Sequence, residues 1–130
     1  MRILLDTHCW LWMQTEPERF STKTTESILL DPECELLLSA ASSWEIAIKF
    51  RLGKLHLPVA PAEYVPSRMA SSGVAGLPVE HSHSLHVASL PPHHRDPFDR
   101  LLIAQAQLEA LPILTADPAF ARYDVETLRP

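Results

Sequence analysis

The sequence predicts an α/β fold: an open, mostly parallel sheet with helices on both faces. Three observations carry this. Arg2–Leu5, Leu36–Leu38 and Pro112–Thr115 are short, nearly all-apolar runs, the pattern of strands buried on both faces. Each run ends in a polar turn and is followed by a segment of helical character. The connecting stretches are long enough to hold the crossover helices that parallel strands require.

Taken in order, Arg2–Leu5 is the first strand, and Asp6-Thr7 can cap a helix behind it. Cys9, Trp10, Leu11, Trp12 and Met13 form the apolar patch of that helix, which ends near Thr15-Glu16-Pro17. A second helix covers about Lys23 to Leu30 and is closed by Asp31-Pro32. Leu36–Leu38 is the second strand. Ser42 and Glu45 stand in capping-box spacing, placing the start of the next helix at Ser42, with Gly53 at its end. Seven of the 12 prolines lie between Pro58 and Pro97 and cut that region into short pieces. Helices are expected near Ala62–Ser72 and His83–Ser89, with a short strand at Leu77–Val79. Asp96-Pro97-Phe98-Asp99 opens the strongest helix, which runs to about Ala110, with Asp96 as N-cap and Pro97 at its first position. Pro112–Thr115 is the next strand, Pro118–Ala121 a short helix and Val125–Leu128 an edge strand.

The 130 residues fit one domain spanning 1–130. No run of about 18 apolar residues exists, so no transmembrane helix is expected, and Asp6 interrupts the first apolar run too early for a secretory signal. Cys9 and Cys34 match no zinc spacing and form no disulfide framework, which suits reduced thiols in the cytoplasm. The net charge of −5 argues against gripping nucleic acid by bulk electrostatics. It leaves open an enzyme that meets RNA through a metal ion.

Four carboxylates share one topological context. Asp6 follows the first strand, Glu45 lies in the first turn of the helix after the second, and Asp117 follows the Pro112–Thr115 strand. Asp99 opens a helix that must begin at the same end of the sheet. Ligands of open parallel sheets bind outside the carboxyl ends of the strands. Converging carboxylates repel one another, and a hard cation such as Mg²⁺ relieves that repulsion. Such a site suits metal-assisted hydrolysis of a phosphodiester. Each acid also has a local explanation. Asp6, Asp96 and Asp117 can cap helices or turns, and Glu45 can pair with Lys49 one turn on.

The ordered set of segments resembles the PIN-domain family, specifically the VapC-like toxins of bacterial toxin–antitoxin pairs. The matching segments are Leu4–His8, Ser39–Lys49, His94–Ala106 and Leu114–Asp117. The resemblance implies a five-stranded parallel sheet and a Mg²⁺- or Mn²⁺-dependent endoribonuclease. It places metal-binding acids at Asp6, Glu45, Asp99 and Asp117, with Asp96 in support and the hydroxyls of Thr7 and Thr115 beside them. It further implies a VapB-like antitoxin that wraps the chain, a homodimer, and promoter DNA bound only through the antitoxin. Trp10, Trp12 and Met13 are candidates for an apolar patch facing such a partner. Among the cations, Lys49 and Arg100 are the first candidates for contacts to RNA phosphates, ahead of Arg51, Lys54 and Arg95.

Two other readings compete. Five of the seven histidines, His81, His83, His86, His93 and His94, fall in one stretch, so a zinc-binding module is conceivable, although no H-E-x-x-H motif is present. A non-catalytic interaction module on a similar fold is the other. There, a partner's affinity would survive a chelator that abolishes cleavage by an enzyme.

Overall fold

The computed structural model describes residues 1–130. β1 (Arg2–Leu5) leads into α1 (Thr7–Thr15). After a 3₁₀ turn at Pro17–Arg19, α2 (Thr22–Thr24) continues as a π-helical turn over Thr25–Leu29. β2 (Glu35–Ser39), α3 (Ala40–Arg51), α4 (Pro61–Ser72) and β3 (Val74–Leu77) follow. α5 (His81–His86) runs into a 3₁₀ turn at Val87–Ser89. α6 (Pro97–Glu109), β4 (Ile113–Leu114), a 3₁₀ helix at Pro118–Arg122 and β5 (Thr127–Leu128) complete the chain. The strand order is β3-β2-β1-β4-β5, and every pairing is parallel. No helix is long and apolar enough to cross a membrane.

The period of two along each strand builds two cores. Leu4, Leu37 and Ile113 face one side, with Leu102, Ile103, Ala106 and Phe120. Ile3, Leu5, Leu36, Leu38 and Leu114 face the other, with Cys9, Trp10, Ile46 and Tyr64. Burying each such aliphatic side chain contributes about 1.5–3 kcal/mol. β1 lies at the centre of the sheet and is therefore apolar on both faces until Asp6.

Several boundaries differ from the sequence reading. α3 starts at Ala40, because Ser39 Oγ accepts the Ala41 N–H at 3.0 Å and caps it. Ser42 and Glu45 are therefore inside the helix and form no capping box. A full C-terminal motif closes α3: Lys54 N–H donates to Lys49 O, Gly53 N–H donates to Phe50 O, and Gly53 takes φ +74°. The third strand is Val74–Leu77 rather than Leu77–Val79. Gly73, at φ +68°, turns the chain straight out of α4, and Pro78 offers no N–H to extend the ladder. Asp6 takes the N-cap backbone conformation of α1 but makes no side-chain cap.

α6 ends on Ala110, a non-glycine residue with φ +54°. A Cβ in the left-handed region is strained by about 1–2 kcal/mol, against which glycine's extra unfolded-state entropy is set. Ala110→Gly is expected to stabilise the protein by about 0.5–1 kcal/mol, read as a higher midpoint in urea denaturation. An unchanged or lower midpoint would show that the turn is relaxed.

Candidate metal centre

The strands deliver the acids to one end of the sheet. Asp6 sits directly after β1 and is 4% exposed. Its Oδ2 accepts a hydrogen bond from Thr115 Oγ1 at 2.8 Å, across from the end of β4. Its Oδ1 is buried and has no hydrogen-bond partner. Glu45, in the second turn of α3, is 2% exposed. Lys49 Nζ donates to its Oε2, while Oε1 is buried without a partner. Asp99 lies in the first turn of α6, and Asp117 follows β4. Asp6, Asp99 and Asp117 stand at strand or helix ends as the topology predicts, while Glu45 falls in the second turn of α3 rather than the first, because the helix starts at Ala40.

Their electrostatics register the crowding. Burial, and then the negative charges of Asp6, Asp96, Glu45 and Asp117, push the Asp99 carboxyl up to about 8. Burial also raises Asp6, helped by Glu45 and Asp117 and opposed by the Thr115 hydrogen bond and His8. Burial alone would lower Lys49. The hydrogen bond and charge of Glu45, joined by Asp96 and Asp99, outweigh it and hold the ammonium above its ordinary value. The fully buried Cys9 thiol is driven to about 12 by burial and by Asp6, which leaves it an inert core filler.

The donor set fits a hard divalent cation. Asp99 and Asp117 lie at mutual ligand distance, while Asp6 and Glu45, each with a buried, unpartnered carboxylate oxygen, stand near enough for their charges to act on Asp99 but outside that close group. Asp96 and Asp117 also serve as helix caps: Asp117 Oδ1 accepts the Ala119 N–H at 2.9 Å and leaves Oδ2 towards His94. Asp96 Oδ1 accepts the N–H groups of Phe98 and Asp99, so it caps α6 and acts on the centre through its charge. Of the two threonines, only Thr115 touches an acid; Thr7 Oγ1 instead donates to Ser42 Oγ at 2.8 Å, tying α1 to α3.

Other expected roles change. Arg100 does not face the centre with free donors. Its guanidinium donates to the carbonyls of Val87, Leu90, Pro91 and His94 and to Tyr123 Oη. Those contacts spend both terminal nitrogens of the planar fork on bracing the 87–94 loop, which favours a structural role over a phosphate contact. Trp10 is fully buried, edge-on to Tyr64, and belongs to the core rather than to a surface patch. Trp12 is half-buried beneath the Arg19 guanidinium. His83 and His86 do not come together as a zinc pair. His83 Nε2 lies 2.8 Å from Glu109 Oε1, and His86 Nε2 lies 2.7 Å from Gln107 Oε1, so each ring is tied separately to α6.

One member of the centre was missed. His94 Nε2 lies 2.9 Å from Asp99 Oδ2 and 3.1 Å from Asp117 Oδ2. One ligand atom each from His94, Asp99 and Asp117 falls within 4.8 Å of the other two. The sequence reading names His94 only among the zinc candidates, and its place two residues before the Asp96 cap is the local signal that it belongs with the acids.

Comparison with known proteins agrees with this architecture. The chain is 52% identical over 62 residues to Ribonuclease VapC16 of Mycobacterium tuberculosis. That match spans 48% of the chain and 44% of the relative. Among solved structures, VapBC2 from Rickettsia felis, bound to a DNA fragment from its promoter, superposes with a TM-score of 0.72 at 15% identity, covering 99% of this chain and 98% of that one. FitAcB from Neisseria gonorrhoeae gives 0.62 at 23% identity, covering 97% and 96%. A toxin–antitoxin complex from Klebsiella pneumoniae gives 0.60 at 16% identity, covering 92% and 90%. The PIN-domain family model matches residues 3–126, nearly the whole chain. The chain belongs to the PIN-domain family.

Proposed function

We propose that this chain is a Mg²⁺-dependent endoribonuclease, with Mn²⁺ able to substitute, and the toxin of a toxin–antitoxin pair. The observation that carries this reading is the pair of buried carboxylate oxygens without partners, Asp6 Oδ1 and Glu45 Oε1, beside an Asp99 already pushed up by its neighbours. A buried anion left this way costs folding free energy unless a cation arrives to satisfy it. Asp6, Glu45, Asp99 and Asp117 hold that ion, with Asp96 in support. When bound, Mg²⁺ lowers the pKa of a bound water and stabilises charge on phosphate oxygens.

The chain's own residues do the rest. Thr115 steadies Asp6 by donating to Oδ2. Lys49 offsets Glu45 and, being 37% exposed, has its cation within reach of a phosphate. A cleft of about 430 Å³ is lined by Thr7, Trp12, Lys49, Lys54 and His56 among others and by none of the four acids, meeting them only through Thr7, next to Asp6, and Lys49, paired with Glu45; it suits a splayed nucleotide. Trp44 is 60% exposed and meets Phe98 edge-to-face at 5.0 Å. These two aromatics immediately precede Glu45 and Asp99 and offer a stacking surface for unpaired bases.

The partners follow the same reading. A relative named as a ribonuclease and structural relatives solved as toxin–antitoxin complexes support it. A VapB-like antitoxin inhibits by setting a basic side chain against the carboxylates, a homodimer is the working form, and promoter DNA is bound through the antitoxin. Action in the cytoplasm, where RNA is found, belongs to the proposal.

The test is cleavage of total cellular RNA by the purified chain. Discrete fragments are expected with Mg²⁺ and none with chelator. Asp6→Asn is expected to lower the rate by at least about 10²-fold with an unchanged circular dichroism spectrum. Cleavage that persists in chelator or in the folded variant would refute the assignment.

A further inference from the structure

The three-residue group at the centre has two readings with opposite consequences. In one, His94 is a third metal ligand beside Asp99 and Asp117. In the other, it competes with the metal for them. Its second nitrogen decides. The Asp96 backbone N–H donates to His94 Nδ1 at 3.2 Å, so Nδ1 holds a lone pair. The proton of the neutral ring is then on Nε2, and Nε2–H donates to Asp99 Oδ2 and Asp117 Oδ2. A metal needs a lone pair at Nε2. Supplying one would move the proton to Nδ1 and set it against the Asp96 N–H, two donors facing each other.

The ring is also firmly held in this pose. Its face or edge packs against Phe120, with centroids 5.9 Å apart and planes at 80°. The His94 N–H donates to Tyr123 Oη at 2.7 Å, and the His94 carbonyl accepts from Arg100 Nη1. Tyr123 Oη in turn donates to Pro91 O at 2.9 Å. The 87–94 loop is thus braced so that Nε2–H points between the two carboxyl groups, which a neutral donor can bridge as a cation would.

We propose that His94 is a positioning residue that stands in for the metal: Nε2–H holds the Asp99 and Asp117 carboxyl groups together in the metal-free protein and gives them up when a divalent cation binds. It therefore competes with the ion and weakens its apparent affinity. The inference rests on the metal-site reading above.

The experiment is calorimetric titration of the metal-free, chelator-treated protein with Mn²⁺, without RNA. Three forms are compared: wild type, His94→Phe, which keeps an aromatic ring on Phe120 but no nitrogen, and His94→Gln, which restores an N–H donor. His94→Phe is expected to bind Mn²⁺ about 3–10-fold more tightly than wild type. It should also melt at a lower temperature without metal, and His94→Gln should return both values towards wild type. Weaker binding by His94→Phe would make His94 a ligand and overturn the inference, as would unchanged affinity. Should His94→Phe fail to fold, affinity in folded His94→Gln decides: near wild type supports the donor role, and a loss of about tenfold or more overturns it. A folded wild type that binds no Mn²⁺ would overturn the metal-site reading and this inference with it.

Discussion

Asp99→Asn is expected to abolish metal-dependent RNA cleavage, by on the order of 10³-fold, while making the metal-free protein more stable at neutral pH. The two effects share one cause. Asp99 is held up at about 8, above its ordinary 3.8, by burial and by four neighbouring carboxylates. Between those values the folded chain binds more protons than the unfolded chain. Its stability therefore falls as pH rises through that window and returns on acidification. Asparagine carries no charge to repel, and its amide oxygen still accepts the His94 Nε2–H. In chelator at pH 8, the variant is expected to exceed wild type by about 1–3 kcal/mol, an advantage that shrinks towards pH 4. Adding Mg²⁺ should then raise the midpoint of wild type much more than that of the variant, because the ion binds only a folded site with its acids intact. Chemical denaturation at pH 4, 6 and 8, with chelator and with Mg²⁺, measures all of this. A variant no more stable than wild type at pH 8 in chelator would show that the carboxylates do not repel as the geometry requires.

Arg100→Ala is expected to be the most damaging single change outside the two cores. The guanidinium donates to four backbone carbonyls and to Tyr123 Oη at 2.8–3.3 Å. Deleting it strands those carbonyls where the loop packs on α6. A net loss of about 3 kcal/mol follows from several charge-assisted hydrogen bonds, each partly repaid by water. Lysine would recover little, because a single ammonium cannot span carbonyls that a planar fork reaches together. The loop also carries His94, so the effect should extend to the centre. Protease cleavage within residues 87–95 is expected to rise in Arg100→Ala even where the rest of the chain stays folded. Limited proteolysis with mass spectrometry reads this directly. Full stability together with a specific loss of RNA affinity would instead restore Arg100 to the phosphate-binding role suggested by its place beside Asp99.

The strands and the acids at their ends were legible because their signal is local. Ile3–Leu5 and Leu36–Leu38 are apolar on consecutive positions, which in so short a run means burial on both faces, and Asp6 marks where β1 must leave the core. Asp96-Pro97 announces α6 through cap and first-turn chemistry, and the structure begins that helix at Pro97. The start of α3 was misread for an equally local reason. Ser39 and Ser42 are both good caps, and the S-x-x-E spacing favoured the second. Ser39 has the backbone and the cap, with Gln105 of α6 holding its hydroxyl from a distance in sequence.

The sequence by itself determined the fold class, the order of its strands and helices, and which end of the sheet collects charge, because patterning and topology follow from short-range rules. Tertiary structure alone decided which polar groups are spent and which are left free. Arg100 is consumed by carbonyls from a loop that precedes it. Thr7 turns to Ser42 while Thr115 turns to Asp6, 109 residues away. His94 joins Asp117 across 23 residues, while the Asp96 N–H sets its tautomer from two residues on. Donors and acceptors find partners by proximity in space, and that proximity exists only after the two cores have packed.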